Sequence, residues 1–160
     1  MDLTFLESPD YRRVRAALDG YRRSRDELTA LGVIRSERTV QSDYGEWLAA
    51  HLLSLTLAES GVGAGYDATD PEGRTYQIKT RLVDRTDAAT SFDFRDLDHP
   101  FDFLLGVLLT RAGELVAVVR IPLAEVAARA RWNRRSCRLR WTKASFEASW
   151  VQVLYRAPAA

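Results

Sequence analysis

The sequence predicts an α/β domain built around a small mixed sheet, and three features of the chain support this fold class. Its length of 160 residues is that of one ordinary domain, long enough to bury a core. The N-terminal part carries apolar residues at helical spacing. The rest of the chain alternates between strand-like segments and turn residues, with one short helical segment among them.

Two helices are expected before the first strand. From Pro9 to Leu31, apolar residues recur at helical steps, although Gly20 argues against one unbroken helix. A second helix is predicted from Ser42, a favourable N-cap, to about Glu59. Beyond Glu46 this helix is apolar on almost all sides, so we expect it to be buried, with His51 as a core histidine.

Strand-like segments follow once the glycines at positions 61, 63 and 65 have ended the second helix. The turn residues Asp70-Pro-Glu-Gly-Arg74 separate the first two strands, and Pro122 favours a short helix over Leu123–Arg131. The predicted strands are Tyr66–Thr69, Thr75–Leu82, Phe101–Thr110, Glu114–Ile121, Ser136–Thr142 and Trp150–Tyr155. We treat residues 1–160 as a single domain.

Composition excludes several classes of protein. The longest apolar run, Trp47–Leu57, is too short to cross a bilayer, and the N-terminus lacks the basic and apolar regions of a secretory signal. A single cysteine, Cys137, excludes an internal disulfide framework, and two histidines are too few to complete a zinc finger. We therefore expect a cytoplasmic bacterial protein that does not bind membranes.

The net charge of +1 conceals a basic segment. Between Arg129 and Lys143 there are seven basic residues and no acid, whereas residues 84–98 contain five aspartates and two arginines. A basic segment of this kind attracts polyanions, although a merely solvated surface has the same composition. Alternation within the segment predicts Arg138 and Arg140 on one strand face and Trp141 in the core.

Two neighbouring strands carry side chains suited to a hard cation. Alternation places Gln77, Lys79 and Arg81 on one face of the second strand, and a tight hairpin would bring Asp67 beside them. Carboxylate and amide oxygens bind Mg²⁺, and an ammonium group stabilises negative charge. A polar, solvent-facing strand surface would give the same pattern.

This combination resembles the PD-(D/E)xK superfamily of metal-dependent nucleases, which includes restriction endonucleases, Holliday-junction resolvases and transposon-end nucleases. The resemblance rests on Asp67, on Gln77-Ile78-Lys79 in the next strand and on Glu46 in the preceding helix. The residues around the motif are also similar to those of small bacterial domains of unassigned function. The resemblance implies a restriction-endonuclease-like core over residues 42–121, preceded by a helical extension (1–41) and followed by a C-terminal helix and basic strand region (122–160).

The resemblance also implies a role for each residue of the motif. Asp67 would be the main metal ligand, Gln77 takes the position of the second acid, and Ile78 would offer its backbone carbonyl. Lys79 would orient or activate the attacking water. Glu46 would bind a water on the metal or polarise the substrate side of the site, and the metal would be Mg²⁺ or Mn²⁺. Because glutamine removes a negative charge from this site, a non-cleaving member of the superfamily is an alternative.

The resulting hypothesis is a Mg²⁺-dependent endodeoxyribonuclease, which association with the family would place in phage defence or mobile-element biology. The residues expected to bind DNA phosphates are Arg81, Arg131, Arg134, Arg135, Arg138, Arg140 and Lys143. A homodimer, formed through the first helix, or a partner protein would supply specificity. Two alternatives stay open: an inactive nuclease-like module that binds nucleic acid or a protein, and an unrelated α/β domain.

Overall fold

A computed structural model of the chain describes residues 1–30, 40–58, 65–83, 89–95, 97–98, 101–133 and 136–158, and it confirms the α/β fold class. The helices are α1 (Pro9–Ala30), α2 (Val40–Leu53) and α3 (Leu123–Arg129), with short 3-10 helices at Leu3–Glu7 and Lys143–Glu147. The strands are β1 (Thr56–Leu57), β2 (Ala68–Thr69), β3 (Thr75–Leu82), β4 (Thr90–Phe94), β5 (Phe103–Leu109), β6 (Leu115–Pro122), β7 (Arg131–Asn133), β8 (Ser136–Trp141) and β9 (Gln152–Arg156).

The strands form two sheets. The larger sheet has the order β1-β2-β3-β5-β6-β9, in which β3 and β5 are parallel and the other neighbours are antiparallel. The smaller sheet has the order β4-β8-β7 and is antiparallel throughout. Strands from the C-terminal region enter both sheets, since β9 pairs with β6 and β8 pairs with β4.

Two apolar clusters lie on the two faces of the larger sheet. On one face, Leu104 and Leu108 of β5 pack in a cluster with Phe92 and Trp141 of the smaller sheet. On the other face, alternate residues of β5 and β6 pack with Leu48 and its neighbours on α2. Because both faces are covered, β5 and β6 read as nearly continuous apolar runs in the sequence.

The second helix differs at both ends from the prediction. It begins at Val40, so Ser42 lies inside the helix rather than at its cap, and it ends at Leu53 rather than near Glu59. Ser54 has a φ of 54°, a left-handed conformation that interrupts the helix, and Thr56–Leu57 then forms β1. The apolar run therefore contains a helix followed by a short strand.

The expectation that His51 is a core residue is wrong. Its side chain is exposed, and its Nδ1 lies 2.8 Å from the carbonyl oxygen of Trp47. Its ring stacks on Phe5, with the ring centroids 4.5 Å apart. Phe5 belongs to the N-terminal 3-10 helix, which was not predicted from the sequence and which covers this side of α2.

Helix α1 continues without interruption through Gly20. Tyr11, Val14 and Leu18 pack against the apolar cluster that contains α2, so this half of the predicted stripe is an internal packing face. Leu31 lies outside the described residues. None of the helices in the described ranges is long and apolar enough to cross a membrane.

The six predicted strands are all present, and the one over Thr75–Leu82 has the predicted ends. Three further strands, β1, β4 and β7, were not predicted. Strand β4 lies in the aspartate-rich stretch that was expected to be a loop, and Phe92 and Phe94 are buried there while Asp93 stays half-exposed. We expected a loop and a single basic strand in these regions, whereas the structure has three paired strands that form the smaller sheet.

Candidate functional site

A short antiparallel pairing brings Asp67 to the middle of β3. Ala68 of β2 is paired with Tyr76 of β3, and the backbone N–H of Asp67 donates to the Tyr76 carbonyl at 2.8 Å. Continuing this register by one residue places Asp67 opposite Gln77. Directly opposed residues of antiparallel strands carry their side chains on the same face, so these two side chains are neighbours.

The carboxylate of Asp67 accepts two hydrogen bonds from β3. Its Oδ2 accepts from the Gln77 side-chain amide and, at 2.6 Å, from the backbone N–H of Ile78. The hairpin thus brings Asp67 and Gln77 together, as the sequence predicts. In an antiparallel ladder the N–H and C=O of one residue point to the same strand edge, so the Ile78 carbonyl lies on the edge that faces Asp67.

Asp70 closes the turn that makes this hairpin tight. Its Oδ1 accepts from the backbone N–H groups of Glu72 and Arg74, and its Oδ2 accepts from the Arg74 guanidinium at 2.6 Å and the Tyr76 hydroxyl at 2.8 Å. Burial would raise the pKa of Asp70, but the hydrogen bonds from Tyr76 and Arg74 outweigh it and lower the pKa to about 2. The prediction that Asp70 forms the turn is confirmed.

Lys79 lies half-buried on the same face of β3 as Gln77. Its Nζ is 5.7 Å from the centre of the Phe94 ring. Burial is the main cause that lowers the pKa of Lys79, while the nearby carboxylates of Asp67, Glu46 and Asp93 act in the opposite direction. A lysine in this environment gives up its proton more readily than an exposed lysine.

Glu46 approaches the site from α2, on the other side of β3. Helix α2 packs against the face of β3 that carries Ile78 and Thr80, and Gly45 allows the helix backbone to come close to the strand. Glu46 itself is half-buried, and its charge acts on the pKa of Lys79. The structure therefore brings Asp67 and Gln77 into contact, while Glu46 and Asp67 are linked to Lys79 through the effect of their charges on its pKa.

Arg81 connects this region to the smaller sheet. Its guanidinium donates to the Asp93 carboxylate at 3.0 Å and to the backbone carbonyl of Ser91. Asp93 also accepts from Arg138 at 2.5 Å. Burial would raise the pKa of Asp93, but Arg138 and Arg81 outweigh it and lower the pKa. Arg81, predicted to bind DNA, is thus occupied in joining β3 to β4.

Sequence reasoning missed Asp93 as the residue that joins these two arginines. The alternation Ser-Phe-Asp-Phe over residues 91–94 was the available signal, because it indicates a strand with its aspartate on the polar face. The surrounding aspartates concealed that signal, since they made the whole stretch look like an acidic loop.

The outer face of the smaller sheet is basic. Arg131 is opposite Arg138 across β7 and β8, and Arg138 and Arg140 alternate with the buried residues of β8. We call these three residues the arginine face. Lys143 is exposed at the start of the second 3-10 helix, whereas Arg134 and Arg135 lie outside the described residues. The ion pair between Asp93 and Arg81 makes the arginine face continuous with the surroundings of Lys79.

The oxygen atoms around Asp67 suit a hard cation. In the described part of the chain, no group of three or more His, Cys, Asp or Glu side chains is arranged to hold a metal ion. The donors here are instead the Asp67 carboxylate, the Gln77 amide and the Ile78 carbonyl. Gln77 turns its nitrogen to Asp67, and a half-turn of the amide would present the oxygen. The set then fits Mg²⁺ or Mn²⁺.

Comparison with known proteins does not assign the chain to a family. A scan against protein-family models finds no match, and a search of curated proteins finds no significant match.

Proposed function

We propose that this protein is a divalent-metal-dependent nuclease that hydrolyses DNA phosphodiester bonds on a restriction-endonuclease-like core. One observation carries the proposal: the Asp67 carboxylate contacts both the Gln77 side chain and the backbone of β3, two residues before a half-buried lysine. The order of elements supports it, since a helix carrying Glu46 precedes the hairpin and two apolar strands follow.

The residues of the site would have different roles in hydrolysis. Asp67, Gln77 and the Ile78 carbonyl would hold the metal ion, with Glu46 acting from α2. When bound, Mg²⁺ or Mn²⁺ supplies Lewis-acid polarisation of the phosphate and a lowered pKa for a bound water. Lys79 would orient or activate the attacking water, and burial, which lowers its pKa, favours that role. Once protonated, it stabilises the negative charge that develops on the phosphate.

The arginine face would bind the phosphates that flank the cleaved bond. Arg131 and Arg140 are exposed, and Arg138 is paired with Asp93, which also holds Arg81. Exposed guanidinium groups bind phosphates by releasing counterions, whatever the base sequence. The affinity for DNA is therefore expected to be strongly salt-dependent.

A second candidate function is a nuclease-like module that binds DNA without cleaving it. The observation that favours it is the hydrogen bond from the Gln77 amide to Asp67, which satisfies the carboxylate without a cation. A glutamate at this position would instead require a cation to offset two adjacent negative charges. Cleavage separates the two candidates, because both require binding to DNA.

The test is a nuclease assay with Mg²⁺ or Mn²⁺ on linear, supercoiled, single-stranded and branched DNA. Wild type is compared with Asp67→Ala and Lys79→Ala, and with Asp26→Ala as a control at an exposed position of α1. We expect Lys79→Ala to lower the cleavage rate by about 100-fold or more, the range for loss of a general acid or base, and Asp67→Ala to lower it at least as much because it removes a metal ligand. Asp26→Ala should cleave at the wild-type rate.

The other outcomes discriminate between the candidates. If wild type and both variants bind DNA in a salt-sensitive manner and none of them cleaves it, the second candidate is correct. If cleavage survives both substitutions, the site has been assigned to the wrong residues.

A further inference from the structure

The structure separates two tryptophans that lie close together in the sequence. Trp141 is fully buried beside Phe92 and Phe146 in the core. Trp132 is 65% exposed, the most exposed of the large apolar side chains in the described part of the chain. Exposed tryptophans are enriched at binding surfaces because the indole ring offers a large, rigid contact area.

Trp132 lies on the edge of the smaller sheet, in the same row as a side chain that contacts Lys79. Trp132 of β7 is opposite Cys137 of β8, which is opposite Phe94 of β4. The Phe94 ring centre is 5.7 Å from the Lys79 Nζ. Because neighbouring strands are about 4.8 Å apart, the backbone of Trp132 is roughly 10 Å from that of Phe94.

The chemistry around Trp132 matches a nucleic acid strand. Arg131 precedes it on the edge strand, and successive side chains of a strand point to opposite faces, so a guanidinium and an indole lie on the two sides of β7. The guanidinium side is continuous with Arg138 and the arginine face. A strand running along this edge can present phosphates to the arginines and a base to the indole.

We propose that Trp132 stacks on an unpaired base, and that the substrate is single-stranded DNA or the single-stranded part of a branched DNA. This inference rests on the proposed function. In a duplex the faces of the bases are covered by their neighbours, whereas an unpaired base leaves a face open to an aromatic ring.

The test measures binding by fluorescence anisotropy in EDTA, with labelled oligothymidylate and with a blunt duplex of the same length. The variants are Trp132→Ala and Trp132→Phe, with Tyr21→Ala as the control because Tyr21 is an exposed aromatic on α1. We expect Trp132→Ala to weaken binding of the single strand by roughly 5- to 150-fold, the range for one lost base stack, and binding of the duplex by less than about twofold. Trp132→Phe should keep most of the affinity, and Tyr21→Ala should keep all of it.

Two results overturn the inference: equal weakening of both DNAs by Trp132→Ala, or no weakening for the single strand. Its failure can be told apart from that of the proposed function. Cleavage that depends on Asp67 but not on Trp132 would leave the nuclease standing and remove the stacking residue. Single-strand binding that depends on Trp132, without any cleavage, would support the stacking residue and overturn the nuclease. A wild-type protein that binds neither DNA overturns both.

Discussion

Gly45 of α2 lies so close to Thr80 of β3 that a β-carbon on the glycine would be 1.8 Å from the threonine Oγ1. A real β-carbon essentially never comes within 3.0 Å of another non-bonded heavy atom. The helix backbone therefore rests directly on the strand. Within the described residues, the buried Thr80 hydroxyl has no hydrogen-bond partner. Because Glu46 follows Gly45 and Lys79 precedes Thr80, this contact sets the distance between two residues of the proposed site.

Gly45→Ala should therefore destabilise the protein by about 1–3 kcal/mol, the range for overpacking, although alanine is intrinsically the better helix former. It should also slow cleavage, since Glu46 moves with the helix. Gly20→Ala is the matched control in α1: the nearest atom to its added carbon is an Arg23 guanidinium nitrogen at 3.9 Å. That variant should gain about 0.5–1 kcal/mol. Urea unfolding measures the stability of both variants. An equal increase in the free energy of unfolding for the two would contradict the close contact.

Gln77→Glu should make the stability of the protein depend on divalent metal. Without metal, the new carboxylate lies beside Asp67, and the repulsion lowers the melting temperature. Mg²⁺ removes the repulsion, and a ligand that binds only the folded state raises the free energy of unfolding by RT ln(1 + [L]/Kd). The variant should thus melt below wild type in EDTA and show a larger increase with Mg²⁺.

Gln152→Glu is the control for this experiment. It adds the same charge on β9, where Gln152 accepts hydrogen bonds from Arg120 rather than contacting Asp67. Its melting temperature should rise with Mg²⁺ by the same amount as that of wild type, because the cation site is unchanged. If Gln77→Glu responds to Mg²⁺ no more than this control, Gln77 does not belong to a cation site.

Local patterns in the sequence predicted most elements of the fold. The helical spacing of α1 and the strict alternation of β3 persist because each element buries one face. Strand β1 was missed because an apolar run continued past Leu53, and only the left-handed Ser54 separates helix from strand. Strand β7 has three residues, too few for a period to be visible.

The candidate site was predictable where it is local in sequence. Asp67 and Gln77 are ten residues apart across one turn, so the turn chemistry of Asp70 suffices to bring them together. The arrangement of Arg81, Asp93 and Arg138 depends on the pairing of β4 with β8, whose partners are more than forty residues apart. No local pattern encodes such a pairing, since it is decided by which apolar faces cover each other.

Tyr76→Phe should reduce the part of the protein's stability that is lost as the pH falls. The folded pKa of Asp70 is lowered to about 2 from an ordinary value of 3.8, so its stabilisation is present above pH 3.8 and is lost as the pH falls towards 2. Without the Tyr76 hydroxyl, the folded pKa moves back towards 3.8. The variant should be less stable at neutral pH and lose less stability on acidification.

Urea unfolding between about pH 6 and pH 2 tests this, with Tyr155→Phe as the control. Tyr155 lies on β9 and opposite Val118, away from the turn that Asp70 closes. Its variant should keep the wild-type slope of stability against pH. A wild-type slope in Tyr76→Phe as well would show that the hydroxyl does not support the Asp70 carboxylate.

Arg140→Ala should reduce the salt dependence of DNA binding. If Arg140 contacts a phosphate, its loss lowers the slope of log K against log salt by about 1 and weakens binding to all sequences alike. Arg13→Ala, an exposed arginine on α1, removes the same charge from another surface and should leave the slope unchanged. Equal changes in the two variants would indicate a response to net charge rather than a contact on the arginine face.

Asp93→Asn should change DNA binding and cleavage in opposite directions. The substitution removes the carboxylate that joins Arg81 to Arg138, and the loss of these partly exposed pairs should cost about 1 kcal/mol of stability. DNA binding should tighten, because one negative charge disappears next to the arginine face. Cleavage should slow, because Arg81 no longer fixes β4 against β3 at the point where Phe94 packs on Lys79.

Asp26→Asn is the matched control for this split. It makes the same change in charge at a more exposed pair with Arg22 on α1. It should leave both affinity and cleavage rate unchanged. Tighter binding in both variants would assign the effect to net charge alone. Faster cleavage in Asp93→Asn would show that the link between the two sheets restrains the site instead of supporting it.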